Sequence, residues 1–295
     1  MTTVDFITET YCLIDDEYKS LIKRYGKLRS RGFSPKLSDS ELITMEIAGE
    51  YFGHHNDKAI WKYFKNNMKY LFPKISSRSS FVKQSANLWH IKQLIHHKIS
   101  QYYFGFNDLY VVDGFPIPIC HYCRSARLKC FKGEANYGYC AAKDENYYGF
   151  KGHIIVDING VIKSFTFANP VVDERIALLD ICKNIKGFLL ADKGYIKKEL
   201  TDELHEYGVF LQTPLRSNMK EKRSKLVLNF IRSKRRIVET VISQLGKIFE
   251  IQNVRVKDLW HLTNRIARKI LAHNICTLIN YKYGLNLLSI EPIVD

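Results

Sequence analysis

No apolar stretch in this chain approaches the roughly 18 residues that a bilayer-crossing helix needs, so the sequence reads as that of a soluble protein with no membrane partner. It shows no secretory leader, and its seven cysteines are odd in number, which argues against a disulfide framework and for reduced thiols in the cytoplasm. The close pair Cys120 and Cys123 flanks His121 with the spacing of half a zinc knuckle, but Cys130 and Cys140 do not form a second tight pair, so structural zinc is not expected. Acidic residues are scarce too: 30 Asp and Glu stand against 45 Lys and Arg, a formal net charge of +15. Such a surface favours polyanions, nucleic acid first among them. Apolar residues are not scarce. At 46% of 295 residues they suffice for one large core or two domains, and the chain reads as globular rather than disordered.

The first hundred residues lack long alternating runs and repeat their apolar residues at three- and four-residue steps, which predicts helices. Ser38 and Glu41 form a capping box ahead of Leu42, Ile43, Ile47 and Ala48. Aromatic and basic residues interleave through Trp61–Lys65, a turn is expected over Pro73–Ser80, and a further helix over Val82–Ile99. Residues 1–105 are therefore read as a helical domain that could bind DNA ends, although no recognition-helix signature is decisive. From about Asn107 short strands take over: Leu109–Val112, Gly152–Ile158, Val161–Phe167, Phe188–Ala191 and Val209–Leu211. Asn159-Gly160 between two β-rich runs predicts a hairpin. Helical stretches at Glu174–Lys183 and Lys197–Tyr207 separate the later strands and imply parallel pairing there. The fold class is thus α/β, a mixed sheet flanked by helices, over residues 106–250, followed by a helical extension over 251–295.

Within 214–236 lies a basic segment: nine Lys or Arg against one acid, Glu221, between Arg216 and Arg236. It leads into a helix whose stripe of Ile237, Val238, Val241, Ile242, Leu245, Ile248 and Phe249 leaves Glu239 on the opposite face beside Arg232 and Arg235. Taken alone, Glu239 reads as an ordinary i,i+4 pair with Arg235. Asp113 and Asp192 are different, because each ends a short apolar run that reads as a buried strand. An unpaired carboxylate there costs several kcal/mol, about what a divalent cation would offset. Two strand-end aspartates and a helical glutamate are the hard oxygen ligands that two Mg²⁺ or Mn²⁺ ions take. His153, between two strand residues, reads as a packed imidazole rather than a catalyst.

Asp192-Lys-Gly-Tyr195, Tyr148-Gly-Phe-Lys-Gly-His153, Asn169-Pro-Val-Val-Asp-Glu-Arg175 and Arg235-Arg-Ile-Val-Glu239 together resemble the catalytic domain of bacterial insertion-sequence transposases of the Asp-Asp-Glu class, with the nearest likeness to insertion-sequence family 982. The resemblance runs from about Leu109 to about Phe249. It implies an RNase H-like sheet of five strands. It implies also that Asp113, Asp192 and Glu239 are the catalytic metal ligands, and that two Mg²⁺ or Mn²⁺ ions are the cofactors. The implied reaction is cleavage at the ends of an element followed by attack of the freed 3′-hydroxyl on target DNA. Lys151, Lys193, Arg232, Arg235 and Arg236 are the implied DNA contacts. The implied partners are double-stranded DNA, as terminal inverted repeats and target, and further copies of the chain on that DNA, in a bacterial cytoplasm at the nucleoid. The sequence departs from related transposases at Arg232 and Gly246, where a tyrosine and a lysine are common, and at Gly114-Phe115, where small polar residues are usual. Two other readings stay open: a different RNase H-like nuclease of resolvase or repair type, and a decayed transposase that only binds DNA.

Overall fold

A computed structural model of the protein describes residues 1–26, 34–104, 107–141, 143–215, 219 and 223–291. Arg216, Lys220 and Lys222 of the basic segment lie outside the described residues. The chain divides into two compact units, one formed by 1–103, 245–251 and 255–295, the other by 104–244 and 252–254.

The first unit is helical, with α1 (Thr3–Tyr25), α2 (Asp39–Tyr51), α3 (Asp57–Asn67), α4 (Arg78–Asn87), α5 (Trp89–Tyr102) and, from the far end of the chain, α9 (Leu259–Lys282). The capping box opens α2 as expected: the Glu41 N–H donates to Ser38 Oγ at 3.2 Å and the Ser38 N–H to the Glu41 carboxylate at 2.7 Å. The helix expected over Val82–Ile99 is instead two. Leu88, only 2% exposed, donates its N–H to Ser85 O at 3.0 Å, a tightened turn at which α4 ends and α5 begins.

This unit is closed by charge as well as by apolar packing. Glu46 and Glu50 on α2 are fully buried, so each needs a partner. Arg268 of α9 supplies one, with Nε 2.6 Å from Glu50 and Nη1 2.7 Å from Asp57, and Lys269 Nζ lies 2.7 Å from Glu50. Lys92 of α5 pairs with Glu46 and donates to Asn264 Oδ1 at 2.6 Å. Burial alone would raise the Glu50 pKa, but Lys269 and Arg268 together hold it down at about 2.

The second unit is the α/β one. Its strands are β1 (Leu109–His121), β2 (Asn136–Cys140), β3 (Glu145–Asp157), β4 (Ile162–Ala168), β5 (Gly187–Leu190) and β6 (Val209–Gln212). The sheet runs β2-β3-β1-β5-β6, with β4 pairing β3 further along the edge that β2 also uses. Pairing is antiparallel for β1 with β3 and β3 with β4, and parallel for β1 with β5 and β5 with β6. This is the mixed, helix-flanked RNase H-like arrangement the sequence implied, with one strand more: β2 belongs to an insertion between β1 and β3. Gly160, at φ 80°, turns the β3–β4 hairpin, as Asn159-Gly160 predicted.

β1 is far longer than the four residues expected. Pro116 and Pro118 do not stop it, because β5 pairs only with 109–111 and no second neighbour asks for their missing N–H groups. Tyr110, Val112 and Ile155 point to the face where α6 (Glu174–Cys182) and α7 (Lys198–Glu206) supply Leu178, Ile181, Leu200 and Leu204. On the other face α8 (Lys225–Lys247) lies over Leu109, Phe188 and Leu190 through Val227, Phe230 and Ile231, around a cavity of about 430 Å³.

Candidate active site

Asp113 sits on β1, half-buried, opposite Ile154 of β3, on the sheet face that α8 covers. Its Oδ1 accepts the Gly114 N–H at 2.8 Å. Burial raises its pKa. The Gly114 N–H and the Arg235 guanidinium oppose the rise, while the charges of Asp192 and Glu239 add to it. Those last contributions mean that all three expected acids share one electrostatic neighbourhood.

Asp192 stands two residues past the end of β5, after buried Ala191, and is exposed, where the chain leaves the sheet for the short 3₁₀ turn Lys193–Tyr195. Glu239 is exposed on α8, on the face away from buried Val238, Val241 and Leu245, as the helical wheel predicted. The ion pair found for Arg235 is with Asp192, Nη2 to Oδ1 at 3.5 Å, rather than the i,i+4 pair with Glu239. Arg235 is thus a resting counter-charge to the carboxylates. Among the described residues, no three His, Cys, Asp or Glu side chains stand close enough to hold a metal ion together, and this includes the Cys120–Cys123 region. All seven cysteines are free.

Of the expected DNA contacts, Lys193, Arg232 and Arg236 are exposed and Arg235 is half-buried. Lys151 lies on the opposite sheet face from Asp113, across from Pro116, and is paired with Glu174. That pairing was not legible, although Glu174 lies in the Asn169–Arg175 segment. Around it gather Tyr195 and His153, both buried. Burial, then Lys151, lowers the His153 pKa to about 4, and its Nδ1 has no hydrogen-bond partner, so the imidazole is a neutral packed group. Burial, then Glu174, raises the Tyr195 pKa. Arg175 reaches from α6 to Gly194 O at 3.3 Å and so ties the Lys193–Tyr195 turn to the helix behind it. A Cβ at Gly114 would stand 2.9 Å from Lys151 Cε, so a larger residue there would shift the end of that lysine.

A family model described as a transposase DDE domain matches residues 105–259, more than half of the chain and a span that includes Asp113, Asp192 and Glu239. The chain belongs to the DDE transposase family. Enzymes of this family are DNA transposases and depend on divalent metal ions. No curated protein matches the sequence of this DDE transposase. Among solved structures it is similar to the piggyBac transposase of a cryo-EM synaptic complex with hairpin DNA, at a TM-score of 0.49 and 10% identity, over 98% of this chain and 77% of the other. No helix among the described residues of this DDE transposase is long and apolar enough to cross a membrane.

Proposed function

We propose that this transposase cuts duplex DNA at the ends of an insertion sequence and joins the freed 3′-hydroxyl to target DNA, with Asp113, Asp192 and Glu239 as its catalytic carboxylates. The observation that carries the reading is the half-buried Asp113, whose carboxyl is strained by burial and by two further acids and offset by Arg235. Three hard oxygen donors of this kind are what a hard divalent cation takes, and Asp192 and Glu239 are both exposed to one. Asp113, Asp192 and Glu239 would hold two Mg²⁺ or Mn²⁺ ions, which when bound supply activation of a water or 3′-hydroxyl and stabilisation of the leaving oxygen. Arg235, the counter-charge of Asp192, opposes the rise of the Asp113 pKa and would contact the phosphodiester, together with Lys193, Arg232 and Arg236. Gly194 is exposed, and a Cβ there would meet nothing nearer than Glu174 Oε2 at 4.0 Å, so its bare backbone suits close approach by a DNA strand. Lys151 joins these contacts only where Glu174 releases it. The substrates are terminal inverted repeats and target duplex, engaged by more than one copy of the chain. Insertion-sequence family 982 and a bacterial nucleoid are the setting that the motifs support.

The test is cutting of a duplex bearing the element's ends, with Mg²⁺ or Mn²⁺, by D113N, D192N and E239Q. Each variant is expected to lose about a thousandfold or more, the several kcal/mol of a carboxylate in metal-ion catalysis. A variant that cuts like the parent removes that residue from the site. Joined products distinguish a transposase from a resolvase-type nuclease, which yields cut ends alone. The Arg235–Asp192 pair favours one second reading, a transposase that no longer loads metal and only binds DNA. Its signature is the absence of any metal-dependent rise in melting temperature.

A further inference from the structure

The insertion between β1 and β3 buries little of what it carries. Its 3₁₀ segment, Tyr122–Arg127, has no buried residue at all, so the core does not require it. Yet it is ordered by its own aromatic contacts. The Tyr122 and Tyr137 ring centroids lie 5.3 Å apart, those of Tyr137 and Tyr148 5.2 Å, and the Tyr137 hydroxyl meets Ser125 Oγ at 3.0 Å. Tyr122 and Tyr137 each remain 48% exposed, so a tyrosine row leans on itself and turns open ring surface to solvent. Between His121 and Gly133 the chain carries four cations and no acid. Arg124, Arg127, Lys129 and Lys132 are all exposed and make no ion pair among the described residues.

We infer that this projection is a binding platform for a DNA strand with unpaired bases. Aromatic rings interleaved with free cations are how single strands are held: each base offers its flat face to a ring while the backbone follows the positive charge. Bases within a duplex are already stacked on one another and present only their edges, so open tyrosine faces gain little from double-stranded DNA. The position suits the task. His121 lies eight residues beyond Asp113 on the same strand, about 26 Å at about 3.3 Å per residue. A strand freed at Asp113 would be received one strand-length away, on the same sheet. The inference rests on the proposed cutting reaction only for the source of that strand.

The experiment measures anisotropy of a labelled 20-mer, single-stranded or annealed, on the full chain carrying D113N, in EDTA so that nothing is cut. Replacing both rings (Y122A with Y137A) is expected to weaken single-strand binding at least tenfold and duplex binding twofold or less. Y122F with Y137F keeps the rings and should bind like the parent. R124Q with R127Q should lower the salt slope of single-strand binding by about 1.4, at about 0.7 per phosphate contact. Equal losses on both DNA forms, no loss with alanine, or phenylalanine failing as alanine does would each overturn the platform. Melting temperatures identify a misfolded alanine variant, in which case the phenylalanine and glutamine pairs decide. If D113N, D192N and E239Q still cut, the proposed active site fails while the ring dependence stands, so the two failures are separable.

Discussion

Arg235 is the residue on which the candidate site turns, because it faces carboxylates from two strands while standing one turn from Glu239. As the counter-charge of Asp192 at 3.5 Å it competes with any cation for the same oxygens. R235Q should therefore bind Mn²⁺ several-fold more tightly without DNA, in keeping with the roughly 1 kcal/mol of an exposed pair, while binding DNA more weakly. Titration calorimetry on the free protein checks this, and unchanged or weaker metal affinity counts against the role. The sequence drew attention to Asp113 and Asp192 as buried strand-end carboxylates, but Asp113 lies part-way along β1, which runs on to His121, and Asp192 is exposed beyond β5, because neither the length of β1 nor the cover over the end of β5 is set by the local apolar run. The direction of Arg235 was not legible. Helical spacing offers it Glu239 as a partner, and only the fold brings in Asp192 from 43 residues upstream. Lys151 shows the same limit, because strand alternation sets its side of the sheet but its pairing with Glu174 depends on where α6 begins.

At the scale of elements, α2 and α9 depend on each other through buried charge. The last helix carries the bases Arg265, Arg268 and Lys269, a residue type that local spacing alone would leave facing solvent. The structure buries Arg268 and Lys269 completely, against acids more than 200 residues earlier in the chain. No local pattern can distinguish those outcomes, because they differ only in the partner. R268M should cost about 3–5 kcal/mol, since it leaves Glu46, Glu50 and Asp57 short of a buried cation. Urea unfolding measures it, and a loss under 1 kcal/mol would show that Lys92 and Lys269 suffice. Leu88 is a smaller instance. An apolar residue in helical register can continue a helix or end it, and here its burial favours the break.

For the whole molecule, the buried histidines set the acid limit of stability. His153 and His273 both have pKa values lowered by burial to about 4, from an ordinary 6.5. Between those values the unfolded chain binds protons that the folded chain refuses, so stability falls as pH drops from about 6.5 toward 4, by up to about 3 kcal/mol for each. Glu50 continues the decline. Its folded value near 2 means that the stability it contributes above pH 4.5 is lost between 4.5 and 2. Unfolding free energies at pH 7, 5.5 and 4.5 should trace the histidine part, and H153Q should flatten it. A flat profile over that range would mean that both imidazoles take up protons without cost.

The helical unit is assembled from both ends of the chain, residues 1–103 and 255–295. During synthesis, α2 therefore leaves the ribosome with Glu46 and Glu50 long before Arg268 and Lys269 exist, and of their buried cations only Lys92 follows closely. By the time Arg268 and Lys269 emerge, every strand of the sheet and the acids on it have already been made. The α/β unit is complete in sequence by then, whereas the helical unit lacks the buried cations Arg268 and Lys269 until α9 is made.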